Sequence, residues 1–305
     1  MKFPLDQADA ISVQQIRTYC TVVECGGYAG AQQQIGLATP TMWEQVKALE
    51  KRYRTKLFER VGRNIRTTPT GQTLYQMYKP ILANLDSTFE IVAEQTEGIS
   101  GEVRVCTGVR MMLEELGTVF GQFHQKFPDV RLRLSTGGDR VAQQSVLDGK
   151  DDLALLIEPP PNVLSKSLKV ERLYPIEFMA ILPRKHRLCK VEHLKLHELI
   201  NFPLVVGNQN SVGRMALEEA LHRLSLGPAR IVCETDTSAV TAACVRANMG
   251  VGFVAGIPGQ VNTPGLIARS LAEEVGRVHV VAIYKLGRQL TRVLCELLEM
   301  LRMNS

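Results

Sequence analysis

One stretch, Thr39 to Arg54 (TPTMWEQVKALEKRYR), constrains the fold more than any other part of the chain. Its apolar residues are spaced four, three and four apart, which places them on one face of an α-helix. These residues are Met42, Val46, Leu49 and Tyr53. Thr39 is the candidate N-cap, and Pro40 lies in the first turn, where its missing N–H costs nothing. The pattern predicts one amphipathic helix.

The opposite face of this helix is polar. It carries Thr41, Glu44, Gln45, Lys47, Lys51 and Arg52. Such a face fits a DNA major groove, where Gln pairs with adenine and Lys with guanine or a phosphate. Ordinary surface helices show the same pattern more often, so the flanking sequence has to decide between the two interpretations.

The charge around this helix favours a nucleic-acid surface. Between Trp43 and Thr70 there are eight basic side chains against three acidic ones, a net of +5, which equals the formal charge of the whole chain. Basic residues clustered around a candidate recognition helix are the electrostatic footprint expected of a DNA-binding domain.

The neighbouring segments predict a winged helix-turn-helix. Helices are expected at 12–25 and 28–35, each followed by glycine, and a hairpin at 57–67. Two helices joined by a tight turn, the second entering the major groove, form a helix-turn-helix, and a basic hairpin beside it would act as a wing on the DNA backbone.

A long helix is predicted over 70–97, with Pro80 predicting a kink. Its apolar residues repeat as in a coiled-coil seam. They are Leu74, Tyr78, Ile81, Leu85, Phe89 and Val92. Two interpretations stay open here: packing on the helix's own domain, or pairing with a second copy.

From Gly101 the pattern changes to alternating strands and helices, which is typical of an α/β domain. The pattern predicts strands at 103–106, 130–134, 153–157, 173–182, 204–206, 230–234, 251–255 and 278–283, with helices at 113–126, 141–147, 214–224, 239–247 and 289–301. In such sheets ligands bind beyond the carboxyl ends of the strands, at helix N-termini that favour anions. The candidate effector-binding residues are Thr107, Gly108, Val109, Arg110, Thr136, Gly137, Asn208, Asn210, Ser211, Thr235 and Gly252. The alternative is that these Gly, Ser, Thr and Asn residues only form loops.

The segment from Gln15 to Gly71 resembles the winged helix-turn-helix of the LysR-type transcriptional regulators. The resemblance depends on ALEKRYRTKLFER at Ala48–Arg60 and on the RTTPTG that ends at Gly71. It implies that base edges are read by Thr41, Glu44, Gln45 and Lys47, and that phosphates are contacted by Lys51, Arg52, Arg63 and Arg66. The DNA-binding set also includes Gly30, Thr39 and Trp43. Thr39 and Trp43 depart from the family pattern, which implies an atypical or weakened preference for DNA sequence. The alternative for Trp43 is that it is a packing residue and does not contact DNA.

The remainder resembles the effector domain of the same family, in the fragments FHQKFPDVRLRL, LDGKDDLALLI, LPRKHRL and VRANMGVGFVAGIP. The implied fold is an α/β effector domain of two Rossmann-like lobes, similar to periplasmic binding proteins, preceded by a mainly α winged helix-turn-helix domain and a long linker helix. The expected divisions are the DNA-binding domain at 1–69, the linker helix at 70–98, lobe I at 101–163 and 266–305, and lobe II at 164–265.

The resemblance also implies the partners: double-stranded operator DNA, a second copy bound through the linker helix as a dimer or tetramer, and RNA polymerase. No cofactor or metal is indicated beyond a small, anionic co-inducer. The seven scattered cysteines form no C-x-x-C pair, which favours free thiols in the cytoplasm, and neither a signal peptide nor a membrane helix is expected.

Other classes of function receive less support from the sequence. A sensor that has lost DNA specificity is the first alternative, prompted by Thr39 and Trp43. An enzyme on a bilobal fold is the second, but no catalytic residue can be nominated, because His193 and His197 lack the Glu of a metalloprotease motif and the Gly250–Gly256 run lacks the Lys of a P-loop. Cys106, expected at a helix N-terminus, is a candidate low-pKa thiol.

Overall fold

The protein is described by a computed structural model that covers residues 11–62, 64–160, 163–259 and 264–303. It divides into two compact units. One unit contains the residues up to Ala93 together with Lys285–Gln289, and the other contains Glu94–Tyr284 and the residues from Leu290 onward. Within the described ranges, no helix combines the length and apolarity that crossing a membrane requires.

The N-terminal unit has the expected order of elements. The helices are α1 (Val13–Glu24), α2 (Tyr28–Ile35), α3 (Thr39–Tyr53) and α4 (Pro69–Glu97), and the strands are β1 (Phe58–Val61) and β2 (Asn64–Thr67). Ser12 caps α1 in a capping box with Gln15, and Gly36 ends α2 in the left-handed conformation. The Thr39 N-cap prediction is wrong, because Ala38 holds that position without a side-chain hydrogen bond.

The core of this unit joins α1, α3, β1 and the first turns of α4. Tyr19, Leu49, Leu57, Leu74 and Tyr78 are buried together. The Tyr19 hydroxyl donates to the carbonyl of Gly71 at 2.6 Å. A Cβ at position 71 would overlap the Leu57 carbonyl oxygen, so the Gly of the Thr-x-x-Gly motif is required by close packing.

The linker helix α4 carries both buried and exposed apolar side chains. Leu74 and Tyr78 of the predicted seam are buried within the protomer, and Leu82 joins them. Ile81, Phe89 and Val92 are instead exposed, Phe89 at 72% of its surface. The first turns of α4 thus belong to the helix-turn-helix core, while an apolar stripe along the rest of the helix is uncovered.

The C-terminal unit is built on one nine-stranded mixed sheet among the described residues. The strands are β3 (Gly101–Thr107), β4 (Val130–Thr136), β5 (Leu153–Ile157), β6 (Leu168–Pro183), β7 (Leu204–Gly207), β8 (Ile231–Thr235), β9 (Val251–Gly256), β10 (Leu266–Ser270) and β11 (Arg277–Lys285). The helices are α5 (Val109–Glu114), α6 (Leu116–Lys126), α7 (Asp139–Leu147), α8 (Leu196–Leu199), α9 (Val212–Arg223), α10 (Ser238–Arg246), α11 (Ala272–Val275) and α12 (Arg292–Arg302).

The sheet has two parts that share the long strand β6. Its order is β4-β3-β5-β11-β6-β9-β7-β8, with β10 also paired to β6. The strand β3 is parallel to β4 and β5, and β7 is parallel to β8 and β9, so each part is a small doubly wound lobe. The mixed α/β fold that follows the helix-turn-helix is the one predicted.

Two predictions about this unit need correction. Lobe I was expected to resume at residue 266, but β10 pairs antiparallel with Met179–Pro183 of β6, beside lobe II strand β9. The chain returns to lobe I only at β11, which pairs with β5. The single helix predicted at 113–126 is two helices, since the chain breaks at Glu115.

Candidate functional site

The α3 helix has a buried apolar face and an exposed polar face, as the spacing of its apolar residues predicts. Met42, Val46 and Leu49 are fully buried, whereas Tyr53 is exposed and its hydroxyl lies 2.7 Å from that of Tyr78. Exposed on the other side are Thr39, Thr41, Trp43, Glu44, Lys47, Lys51 and Arg52. The residues predicted to contact DNA on α3 therefore share one accessible surface, which Gln45 borders.

Trp43 and Gln45 differ in exposure. Gln45 is half-buried, and its Oε1 is itself buried and has no hydrogen-bond partner among the described residues. Trp43 is 51% exposed, which does not favour the alternative that it is a packing residue. The Lys47 ammonium lies 5.4 Å from the centre of the Trp43 ring, so an aromatic face and a cation stand next to each other.

Glu50 connects α3 to the start of the wing through hydrogen bonds. It is buried and its Oε1 accepts hydrogen bonds from the Leu57 and Phe58 amides at 2.9 and 3.4 Å, while Oε2 pairs with Lys47 at 2.5 Å. Burial by itself raises the pKa of Glu50, but the Lys47 and amide hydrogen bonds outweigh it and lower the pKa below its ordinary value. The carboxylate therefore stays charged and holds the helix and hairpin together.

The wing is the antiparallel pair β1 and β2, with Phe58 opposite Thr67. Arg66 is exposed and forms an ion pair with Glu59 across the hairpin at 2.6 Å. Arg63, predicted to contact phosphate, lies outside the described residues. The remaining DNA candidate, Gly30, sits where a Cβ would come within 2.9 Å of the Cys25 Cβ, so it is required for the close approach of α1 and α2.

In lobe I the predicted ligand turns lie side by side. Thr107 ends β3 opposite Thr136 of β4, and the Gly137 amide donates to the Thr107 carbonyl at 3.1 Å. Gly108 precedes α5 without a side-chain cap, and Val109 is the first residue of that helix. Thr107 itself is fully buried and its hydroxyl points to the Met111 sulfur at 3.4 Å, so it is not accessible in this conformation.

Arg110 is buried beneath these turns. It forms an ion pair with Glu115, which also accepts a hydrogen bond from the Tyr174 hydroxyl at 2.7 Å. The Nη2 of Arg110 is buried and has no hydrogen-bond partner among the described residues. Sequence reasoning nominated Arg110 but missed Glu115 and Tyr174, because neither belongs to a motif and Tyr174 is 59 residues distant from its partner.

In lobe II, Asn208 joins two strand-end turns. Its amide donates to the Thr235 carbonyl at 3.1 Å and its side chain donates to Asp236 at 3.0 Å. Asn208 Oδ1 accepts from the exposed Asn210 amide, and Ser211 caps α9.

The start of α10 lies next to the end of β8. Thr237 caps α10, and the buried Thr235 hydroxyl lies 2.6 Å from that of Thr241. The α10 helix, which Thr237 caps, packs against α5 of lobe I.

Gly252 and Cys106 have buried, closely packed surroundings. A Cβ at Gly252 would come within 2.5 Å of Ile181 and 2.8 Å of Val245, so this position is a packing glycine in a buried strand. Cys106 is buried, and burial raises the pKa of its thiol, which is the opposite of the low-pKa thiol expected. The described residues contain no group of three or more side chains suited to hold a metal.

A winged helix-turn-helix with an exposed polar recognition helix, followed by a two-lobed α/β domain, defines a ligand-responsive DNA-binding regulator. Residues 13–72 match the model of the bacterial regulatory helix-turn-helix protein, lysR family, and residues 96–305 match the model of the LysR substrate binding domain. The chain belongs to the LysR family of transcriptional regulators, and the predicted resemblance is confirmed.

Individual relatives agree with this assignment. The chain is similar to the HTH-type transcriptional activator CmpR of Synechocystis sp., with 27% identity over 68% of this chain and 67% of that protein. It is 28% identical to the HTH-type transcriptional regulator CysB of Haemophilus influenzae over 71% of this chain and 66% of that one. Its fold matches that of HinK, a LysR family transcriptional regulator from Pseudomonas aeruginosa, with a TM-score of 0.59, 22% identity and coverage of 96% and 98%.

Proposed function

We propose that the protein binds a partly palindromic operator as a homo-oligomer, with α3 in the major groove. The observation that carries this proposal is the exposed polar face of α3, whose apolar face is fixed in the core of the same unit. Thr41, Glu44, Gln45 and Lys47 read base edges, and Lys51, Arg52, Arg66 and Arg63 contact phosphates. Gln45 borders this exposed face, and a Gln amide can pair with adenine through both of its polar atoms once its side chain turns toward the groove.

The proposed homo-oligomer, a dimer or a tetramer, assembles through α4. The exposed Met77, Ile81, Phe89 and Val92 support this part of the proposal, because apolar side chains in a row along a helix are stabilised by a second helix. Pairing of two α4 helices would place two copies of α3 on two half-sites. Contact with RNA polymerase stays a prediction.

The two-lobed domain, in this proposal, binds a small anion between its lobes. The unpartnered, buried Nη2 of Arg110 supports an anionic ligand, as do the amide groups at Gly108 and Val109. Thr136, Gly137, Asn208, Asn210, Ser211 and Thr235 would line the remainder of the cleft. Closure of the lobes on the ligand would change the arrangement of the oligomer and so the regulation of the promoter.

DNA binding is tested by fluorescence anisotropy with a labelled fragment from the promoter region of its own gene, in competition with unlabelled promoter and scrambled duplexes. We expect the promoter fragment to compete at least tenfold better than the scrambled one. Gln45→Ala should reduce this preference, while Gln76→Ala, an exposed glutamine on α4, should retain it. Equal competition by both duplexes, and by heparin, would contradict specific recognition.

Anion binding is tested separately by thermal shift with sulfate, phosphate and a panel of small carboxylates. At least one should raise the unfolding temperature of the full chain, and Thr136→Val, at an exposed position of the cleft, should reduce that increase. If none of these anions shifts the transition, the anionic ligand is excluded and the DNA-binding proposal stands.

A second candidate function is a ligand sensor with degraded DNA specificity. The observation in its favour is that the Thr39 hydroxyl is hydrogen-bonded to Gln32 Oε1 at 2.9 Å, so it is occupied within the protein. The competition and thermal-shift experiments together distinguish the two functions. A sensor with degraded DNA specificity would still be stabilised by the anion but would not prefer its promoter fragment over the scrambled duplex.

A further inference from the structure

Two cysteines of lobe II lie close together although they are eleven positions apart. Cys233 is on the edge strand β8 and Cys244 is on α10, which packs on that strand. Their Sγ atoms are 4.0 Å apart, and both residues are half-buried. Neither residue has a part in the DNA surface or in the cleft described above.

We propose that Cys233 and Cys244 form a redox-modification site, in which a hydroperoxide converts the two thiols to an intramolecular disulfide. A disulfide requires an S–S distance of about 2.05 Å, and the present separation leaves a gap of about 2 Å. The proposal requires that rotation about the Cα–Cβ bonds bring the two sulfur atoms together by this amount. The remaining cysteines are dispersed over other elements.

The chemistry balances with the hydroperoxide as the only oxidant. One thiolate attacks the O–O bond; a sulfenic acid forms, the O–O bond breaks, and the departing hydroxide or alkoxide takes up a proton. The second thiolate then attacks the sulfenic sulfur, so that the S–S bond forms and hydroxide leaves as water after protonation. With hydrogen peroxide, two thiols and one peroxide give one disulfide and two waters.

The surroundings of the pair permit this reaction. The Cys233 Sγ also lies 3.7 Å from the carbonyl oxygen of Glu234, on the exposed edge of the sheet. Burial and the hydrogen bond to Cys244 raise the pKa of the Cys233 thiol, so its thiolate fraction is small at neutral pH and the oxidation calls for excess hydroperoxide. The bond would tie α10 to β8 beside the Thr235–Thr241 hydroxyl pair.

The sequence makes the test direct, because trypsin releases both cysteines in one peptide, Ile231–Arg246, which holds no other cysteine. The full-length protein is treated with excess hydrogen peroxide, and the free thiols are then blocked with iodoacetamide. After digestion with trypsin, the mass of the peptide is measured by mass spectrometry. We expect a peptide that is lighter than the reduced form by two hydrogens and carries no label. Cleavage after Glu234 should leave its two halves joined until dithiothreitol separates them.

Matched variants keep the test decisive. Cys233→Ser and Cys244→Ser should each abolish the linked species, whereas Cys295→Ser, which removes the exposed cysteine, should leave it unchanged. Hydrogen exchange of the oxidised protein should show slower exchange over Ser238–Arg246 than in the reduced protein. If Cys295 becomes oxidised while Cys233 and Cys244 are both alkylated, or if the disulfide joins two protomers, the proposal is overturned.

Discussion

Glu50 offers the sharpest test of how the DNA-binding unit is held together. Removing its carboxylate in Glu50→Ala leaves the buried Leu57 amide without an acceptor and breaks the weaker bond to Phe58. Hydrogen bonds to charged groups contribute about 1.5–3 kcal/mol, and a buried unsatisfied donor costs about 1–3 kcal/mol. The pair with Lys47 adds little, because that ammonium is 45% exposed. We therefore expect Glu50→Ala to lower the free energy of unfolding by about 2–3 kcal/mol.

The assay follows from the composition, because Trp43 is the one tryptophan of the chain and lies on α3. Its fluorescence during urea unfolding reports on this unit alone. With a slope of about 1–3 kcal/mol per M of urea, a loss of about 2–3 kcal/mol should lower the midpoint by about 0.7–3 M. Glu50→Gln, which keeps an acceptor oxygen but no charge, should lie between Glu50→Ala and the wild type. Glu59→Ala breaks an exposed pair and should change the stability by less than about 1 kcal/mol.

The same carboxylate gives the unit a pH dependence of known sign. Because the pKa of Glu50 is lowered in the folded state, its contribution is complete above the ordinary carboxyl pKa of about 4.5 and disappears as the pH falls through the lowered value. The difference between the wild type and Glu50→Ala should therefore decrease in acid. If Glu50→Ala and Glu59→Ala unfold at the same urea concentration at neutral pH, Glu50 does not hold the wing to α3.

Three further predictions concern other parts of the chain. Lys51→Ala should reduce the slope of log affinity for DNA against log salt by about one unit in anisotropy titrations, and an unchanged slope would remove Lys51 from the phosphate contacts. Phe89→Ser should shift sedimentation-equilibrium data toward the monomer, with Thr88→Ser as the exposed control; unaltered association would exclude this stripe as the interface. Gly252→Ala should cost about 1–3 kcal/mol in thermal or urea unfolding through overpacking against Ile181 and Val245, and a neutral effect would contradict the packing assignment.

The helices of the N-terminal unit could be predicted because their information is local. Apolar spacing of three and four specifies the buried face of α3, and glycine marks the end of α2. Tyr53, the last residue of α3, lies at the edge of this face: it is partly exposed, yet its hydroxyl is 2.7 Å from that of the buried Tyr78. Periodicity gives the direction of a helix face but does not give the point at which the core ends.

The candidate cleft could be predicted only in part. Strand-end turns rich in Gly, Ser and Thr point to candidates such as Gly137 and Ser211. The same composition also describes the buried Thr107 and the closely packed Gly252, because sequence does not reveal what lies opposite a residue. The pairing of β10 with β6 and the ion pair of Arg110 with Glu115 depend on tertiary contacts. The proximity of Cys233 and Cys244 was likewise not visible without the packing of α10 on β8.

Selection of binding sites from a pool of randomised duplexes tests the central claim most directly, namely that the exposed face of α3 reads base sequence. The wild-type protein should enrich a motif with two related half-sites, and Gln45→Ala should lose preference at a defined pair of symmetry-related positions while the rest of the motif is retained. The claim would be contradicted if the wild type enriched no motif. It would also be contradicted if Gln45→Ala and the Thr41→Ala Gln45→Ala double variant both enriched the same motif as the wild type.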